Sequence, residues 1–229
     1  MESFLSNISI KINDYIYIKD PESSELGKRI IEGSVNLIDE IGFEAFTFKK
    51  LANYIGSTEA SIYRYFENKN KILLYLTAWY WGWIESKLIL SVVNVDDNEL
   101  KLKKVIYILT EEIREDSNFS HIDEVKLHRV IYSESAKAYL NKFVDDENKH
   151  GVYACYKRII SFTSDIILAI NKEYPNPKML VSTIIVGAQH QRFYSEHLPG
   201  LTNEIKAKNH MQKFYFDLAI NSIINAKQD

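Results

Sequence analysis

A chain of 229 residues with 46% hydrophobic side chains can bury a core of its own, as one large domain or as a small domain joined to a larger one. A single cysteine, Cys155, excludes an intramolecular disulfide framework, the N-terminus lacks the basic flank and apolar run of a secretory signal, and no apolar run reaches the ~18 residues of a membrane span, so a soluble cytoplasmic protein is expected. The net charge of −3 does not mark a nucleic-acid binder, but Thr47 to Lys71 carries five basic residues (Lys49, Lys50, Arg64, Lys69, Lys71) against Glu59 and Glu67, and phosphate affinity depends on the charges that reach the backbone.

In chain order, the first pattern is an alternation from Ile8 to Ile18 across Asn13-Asp14, which predicts a β-hairpin packed on the first helix or on the second region, the alternative being an unstructured arm. Asp20-Pro21 is a helix start, and Leu26, Ile30, Leu37 and Ile41 recur at helical spacing, with Ile31 and Ile38 widening the stripe. Gly42 ends that helix. Thr47 opens a short helix with Leu51, Ala52 and Ile55, which Gly56 closes; Thr58 caps the next, with Ile62 and Tyr63; Asn68 caps a long one running to about Leu90.

Further on, Leu102, Val105, Ile106, Leu109 and Ile113 form one stripe, Ile122 and Val125 a shorter element, and Ala136, Tyr139, Leu140 and Phe143 another. Tyr153, Tyr156, Ile159, Ile160, Thr163, Ile167 and Ile170 form the cleanest stripe. Asn176-Pro177 repeats the cap-then-proline start, Pro199-Gly200 stops that helix, and Thr202 is predicted to cap the last, with Phe214, Tyr215, Leu218 and Ile223. The expected fold is all-α, with an arm or hairpin over 1–20, a three-helix domain over 21–71 and a larger helical domain over 72–229.

The stretch from Thr47 to Phe66 has helix-turn-helix proportions: Leu51, Ala52, Ile55 and Ile62 lock two short helices together, Gly56 makes the turn, and the second helix is left to present polar side chains to a major groove. By spacing alone a structural helical hairpin is the alternative. From Leu26 to Leu76 the chain resembles the N-terminal domain of the TetR family of bacterial transcriptional regulators. The resemblance is carried by Gly42-Phe43, Leu51-Ala52, Gly56-Ser57-Thr58, Ile62-Tyr63-Arg64-Tyr65-Phe66 and Asn68-Lys69 before Ile72-Leu73.

That resemblance implies DNA contacts at Thr47, Lys49, Thr58, Glu59, Ala60, Ser61, Tyr63, Arg64, Tyr65 and Lys69, and a second region that binds a small molecule and dimerises. The residue chemistry agrees with most of the set, since hydroxyls and a lysine at a helix N-terminus hold phosphates. Arg64 suits guanine or phosphate, while Glu59 can accept from cytosine N4 but repels phosphate. Tyr63 and Lys69 are expected to matter most for operator binding.

Trp79, Tyr80, Trp81 and Trp83 crowd one stretch of the long helix, and four such rings are not expected to share one core. An effector pocket is therefore expected at Trp79 and Trp83 with Tyr107 and Tyr156, the ordinary alternative being an aromatic core with one or two exposed rings. His121 and His128, like His190 and His197, stand seven apart, too far along a helix to share one ion, and no nucleophile or phosphate-loop motif is present; no metal, cofactor or catalysis is expected. The function expected is a homodimeric regulator, a repressor that responds to a small molecule, binding double-stranded operator DNA and no membrane. The alternative is a helical homodimer with decayed DNA binding that acts through protein contacts. The dimer is expected through helices over 177–197 and 203–225, with Gly187 and Ala188 allowing close approach and Met179, Ile184, Phe214 and Leu218 supplying apolar contact.

Overall fold

The computed structural model describes residues 10–113, 122–205 and 209–226. Among them the regular elements are all helical: α1 (Glu25–Ala45), α2 (Phe48–Tyr54), α3 (Glu59–Tyr63), α4 (Lys69–Val92), α5 (Asn98–Thr110), α6 (Glu124–Ser133), α7 (Ser135–Tyr139), α8 (Val144–Lys149), α9 (Ala154–Ile170), α10 (Pro177–His197) and α11 (His210–Ile224). They fall into two compact units. The first runs to Trp83 and resumes over Ile113–Cys155; the second holds Ile84–Glu112 and the chain from Tyr156 onward.

Within the first unit, Asp20 and Pro21 start only a single 3-10 turn, Pro21–Ser23, and α1 itself is capped by Ser24, whose hydroxyl accepts from the Gly27 N–H at 3.2 Å. Gly42 breaks α1 with φ +75°, a left-handed conformation that glycine adopts without a Cβ penalty, and the chain turns through Phe46 into Thr47, the cap of α2. Gly33 lets α1 and α2 touch. A Cβ there would lie 2.4 Å from Ile55 Cγ2 and 3.2 Å from Leu51 Cδ1. Gly33→Ala is therefore expected to destabilise the unit by about 1–2 kcal/mol, the side chains giving way in part, and a urea midpoint equal to the parent's would contradict this close packing.

Every residue of α4 from Ile72 to Ile84 is buried. All four crowded aromatics are buried, so none of the rings is exposed to solvent. A helix buried on all sides accepts rings all round, provided their polar edges are met. The Trp81 indole N–H donates to Tyr139 Oη, and the Tyr80 hydroxyl bonds His128 Nδ1 at 2.9 Å.

Residues beyond position 72 also belong to the first unit. Here α6 lies on α1, with Lys126 Nζ donating to Asn36 Oδ1 at 2.8 Å and Arg129 forking onto the Asp39 carboxylate at 2.8 and 2.7 Å. The Phe43 N–H donates to Glu134 Oε1 at 3.3 Å. These contacts, 90 and 91 residues apart in sequence, bind α6 and its C-cap Glu134 to α1.

The N-terminal segment is not a hairpin over its described residues, 10–18; residues 8 and 9 lie outside them. Asn13 Oδ1 accepts the Tyr15 N–H at 2.9 Å, so the Asn-Asp pair caps a 3-10 turn, Asp14–Ile16, instead of reversing two strands. Ile12 and Ile16, four apart, both go into the core of the first unit.

In the second unit α5 packs on α10 and α11, and α9 buries Ile159, Thr163, Ile166 and Ile167. Gly187 of α10 is filled by Tyr215 of α11, whose Oη would lie 2.8 Å from a Cβ, and Ala188 and Ile184 are buried in the same unit. These three residues thus serve packing within the chain, which corrects their assignment to a seam between copies. The last helix begins at His210, not after Thr202, whose hydroxyl bonds Gln191 Oε1.

Candidate nucleic-acid interface

The first unit presents α2 and α3 around a turn at Gly56, φ +62°, closed by the Ser57 N–H donating to Ala52 O at 2.8 Å. From inside, Leu51, Ala52, Ile62 and Phe66 anchor the pair. With the apolar side buried, α3 leaves Glu59, Ala60, Tyr63 and Arg64 exposed.

Thr58 Oγ1 accepts from the Ser61 N–H at 3.2 Å and bonds Ser61 Oγ at 2.9 Å; Arg64 Nη2 then donates to Ser61 Oγ at 3.1 Å. This chain of polar contacts lays the guanidinium back along the outer face of the helix. Tyr63 is 51% exposed while its ring packs edge-on against Phe48, 4.8 Å between centroids, so the hydroxyl is presented on a braced ring. On α2, Thr47 caps the helix by accepting from the Lys50 N–H at 3.2 Å, and Lys49 is exposed. Thr47, Lys49, Thr58, Glu59, Ala60, Ser61, Tyr63 and Arg64 thus belong to one helix-turn-helix surface.

Two of the expected residues are engaged by the fold itself. Tyr65 is 3% exposed. Its hydroxyl bonds Ser24 Oγ at 2.7 Å and receives a hydrogen bond from Lys19 Nζ at 3.3 Å, and the Ser24 contact, aided by the lysine, holds its acidity above that of an ordinary phenol. Lys69 Nζ donates to three backbone carbonyls in the turn after Gly42: Phe43 at 2.9 Å, Glu44 at 3.2 Å and Phe46 at 3.3 Å. It also sits 4.7 Å from the centroid of the Phe43 ring. The cap expected of Asn68 is present, its Oδ1 accepting from the Lys71 N–H at 3.1 Å.

Sequence reasoning missed Arg29, whose guanidinium donates to Ile55 O and secures the α2–α3 turn, and Lys50, whose ammonium caps the end of α1 through Ala45 O at 2.8 Å. Both are exposed cations on helices, for which periodicity carries no signal. The expected pocket residues divide: Trp79 and Trp83 are buried in the first unit, while Tyr107 and Tyr156 belong to the second. Among the described residues no group of three His, Cys, Asp or Glu side chains could hold a metal ion, and no helix is long and apolar enough to cross a membrane.

The geometry is that of a helix-turn-helix. Residues 30–76 match the family model described as bacterial regulatory proteins, tetR family. Solved structures share the fold. The fatty acid degradation regulator FadR from Bacillus halodurans is 14% identical, over 88% of this chain and 96% of that one, with a TM-score of 0.58. AibR, solved in complex with isovaleryl coenzyme A and operator DNA, is 15% identical over 82% and 95%, at 0.56. PfmR, a TetR family transcriptional regulator from Thermus thermophilus, is 13% identical over 88% and 97%, at 0.54. No curated protein matches the sequence. Residues 30–76 are thus similar to the DNA-binding domain of the tetR family, and the chain shares its fold with these solved regulators.

Proposed function

We propose that the protein is a homodimeric cytoplasmic repressor that holds an operator of inverted-repeat form through α2 and α3 and releases it when a small molecule binds. The observation that carries the reading is the grouping of Lys49, Ser61, Tyr63 and Arg64 on the outer surface of a helix pair whose inner surface is fully committed to the core. In this reading Thr47, Thr58 and Tyr63 position phosphates, Lys49 neutralises them, and Arg64 with Ser61 meets base edges in the major groove. Residues 21–71 are the DNA-reading part, and the helices after them carry effector binding and dimerisation. AibR, solved with an acyl thioester and operator DNA together, illustrates effector and DNA on one such fold. An effector acts here only by binding two arrangements of the recognition helices unequally.

The dimer is supported by what the second unit leaves uncovered. Met179, Val186 and Phe193 recur seven apart along α10 and are all exposed, and Phe214 and Leu218 of α11 are 54% and 44% exposed. Such apolar stripes on two helices suit a four-helix seam between two copies. Phe214→Glu is expected to raise the dimer dissociation constant by about 10- to 100-fold, by placing a charge in a dry contact. Sedimentation velocity checks it, and a variant as dimeric as the parent would remove α11 from the seam. The reading as a whole is tested by selecting duplexes from a random pool. Enrichment of an inverted repeat is the expected result, and no enrichment at low salt would leave the rival reading, action through protein contacts alone.

A further inference from the structure

Residues 12–24 lie ahead of the segment matched by the family model, and none of the expected DNA contacts falls on them, yet they are built into the first unit at three places. Ile12 and Ile16 are buried. At one end Asn13 Nδ2 donates to His150 O at 2.8 Å, the Tyr15 hydroxyl donates to Asp146 Oδ2 at 2.8 Å, and the Tyr15 ring stacks on His150 with centroids 4.0 Å apart and planes 5° from parallel. In the middle Lys71, at the start of α4, donates to Tyr15 O at 3.0 Å and lies 3.7 Å from the centroid of its ring. At the other end the Ile18 N–H donates to Tyr65 O at 2.8 Å, while Lys19 and Ser24 hold the Tyr65 hydroxyl.

Tyr65 follows Tyr63 and Arg64 directly, and its own N–H and that of Phe66 close the recognition helix on Ile62 O at 2.8 and 3.1 Å. A helix of five residues has too few backbone hydrogen bonds of its own to hold its direction, so its orientation depends on what fixes its ends. The N-terminal end is fixed by the Thr58 cap. The C-terminal end is fixed by Tyr65, gripped at both its carbonyl and its hydroxyl.

We infer that residues 12–24 form a positioning strap for the recognition helix, setting the aim of Tyr63 and Arg64 through Tyr65 and tying that aim to α8 through Tyr15. The strap touches no DNA; it acts through Tyr65. This rests on the reading that α3 meets DNA, but its mechanical part is measurable without DNA.

The test uses Ile18→Pro in the full chain. Proline removes the one N–H that meets Tyr65 O, the Ile18 side chain is 65% exposed so no core is lost, and Tyr17, at φ −132° and ψ 159°, already has the extended backbone that precedes proline. Amide exchange is followed at residues 62–66, and affinity is measured against a duplex selected by the parent protein, at several salt concentrations and at a temperature where both proteins are fully folded. Faster exchange at Tyr65 and Phe66, with affinity about 2- to 10-fold lower, the worth of one net hydrogen bond, and an unchanged salt slope is the expected result. Unchanged exchange with unchanged affinity overturns the strap, and a lower salt slope overturns it too, since the segment would then be touching phosphate. Should Ile18→Pro fail to fold, Asn13→Ala, which cuts the tie to His150 O and the Oδ1 cap on the Tyr15 N–H, is judged by the same two readouts. A parent that selects no duplex refutes the DNA reading, and the exchange rates then decide the strap alone.

Discussion

Replacing Lys69 by alanine is expected to cost the first unit about 2–3 kcal/mol, the range for hydrogen bonds to a charged group that leave their partners unmet. The ammonium joins the start of α4 to three carbonyls of the turn after Gly42, the turn that sets where α2 begins. With it gone, three carbonyls, two of them partly buried, lose this donor and Phe43 loses a cation from its face. Lys69→Met, which keeps the stem, is expected to lose nearly as much, because the donor and not the packing is decisive. Urea unfolding followed by tryptophan fluorescence reads this unit directly, since Trp79, Trp81 and Trp83 all lie within it. A midpoint equal to the parent's would show that the carbonyls do not depend on this lysine.

Lys69 also marks where the sequence stops being legible. Its place at the head of a helix after Asn68 is plain from the residues, and a lysine there is a sound candidate for phosphate. What spacing cannot give is the competing partner, a turn 23 to 26 residues earlier whose carbonyls converge on the same point. Tyr65 is opaque for the same reason: its neighbours Tyr63 and Arg64 are exposed, and only the fold reveals that Ser24 and Lys19 take its hydroxyl. The helices themselves are legible because their signals are local. Gly42, Gly56, Thr47, Thr58 and Asn68 stand where the backbone breaks or is capped. The aromatic crowding of α4 misleads any reading that assumes amphipathicity, because this helix is surrounded and has no polar face between Ile72 and Ile84. At the N-terminus the alternation is real, but the capping side chain of Asn13 wins over the hairpin turn.

The second large effect is on DNA, and it divides by the chemistry of each side chain. Tyr63→Phe keeps the ring braced on Phe48 and removes only the hydroxyl, so a dimer loses two phosphate hydrogen bonds and affinity is expected to fall about 30-fold, two net hydrogen bonds of roughly 1 kcal/mol each. Arg64→Ala removes a guanidinium held along the outer face of α3 by Ser61. It is expected to relax the preference at one base pair in each half-site by about 1–3 kcal/mol per base pair. Lys49→Ala removes an exposed charge and no hydrogen bond of the fold, so its effect should be the same on every sequence.

The most direct measurement is the affinity of the parent, Lys49→Ala and Arg64→Ala for the selected duplex and for a scrambled one, from low to moderate salt. The parent's affinity is expected to fall steeply with salt, with a slope shallower by roughly two units for Lys49→Ala, because each protomer then neutralises one phosphate fewer. Arg64→Ala is expected to narrow the gap between the two duplexes. A parent that binds both duplexes equally, or variants that share its slope and its preference, would contradict the assignment of α2 and α3 to DNA.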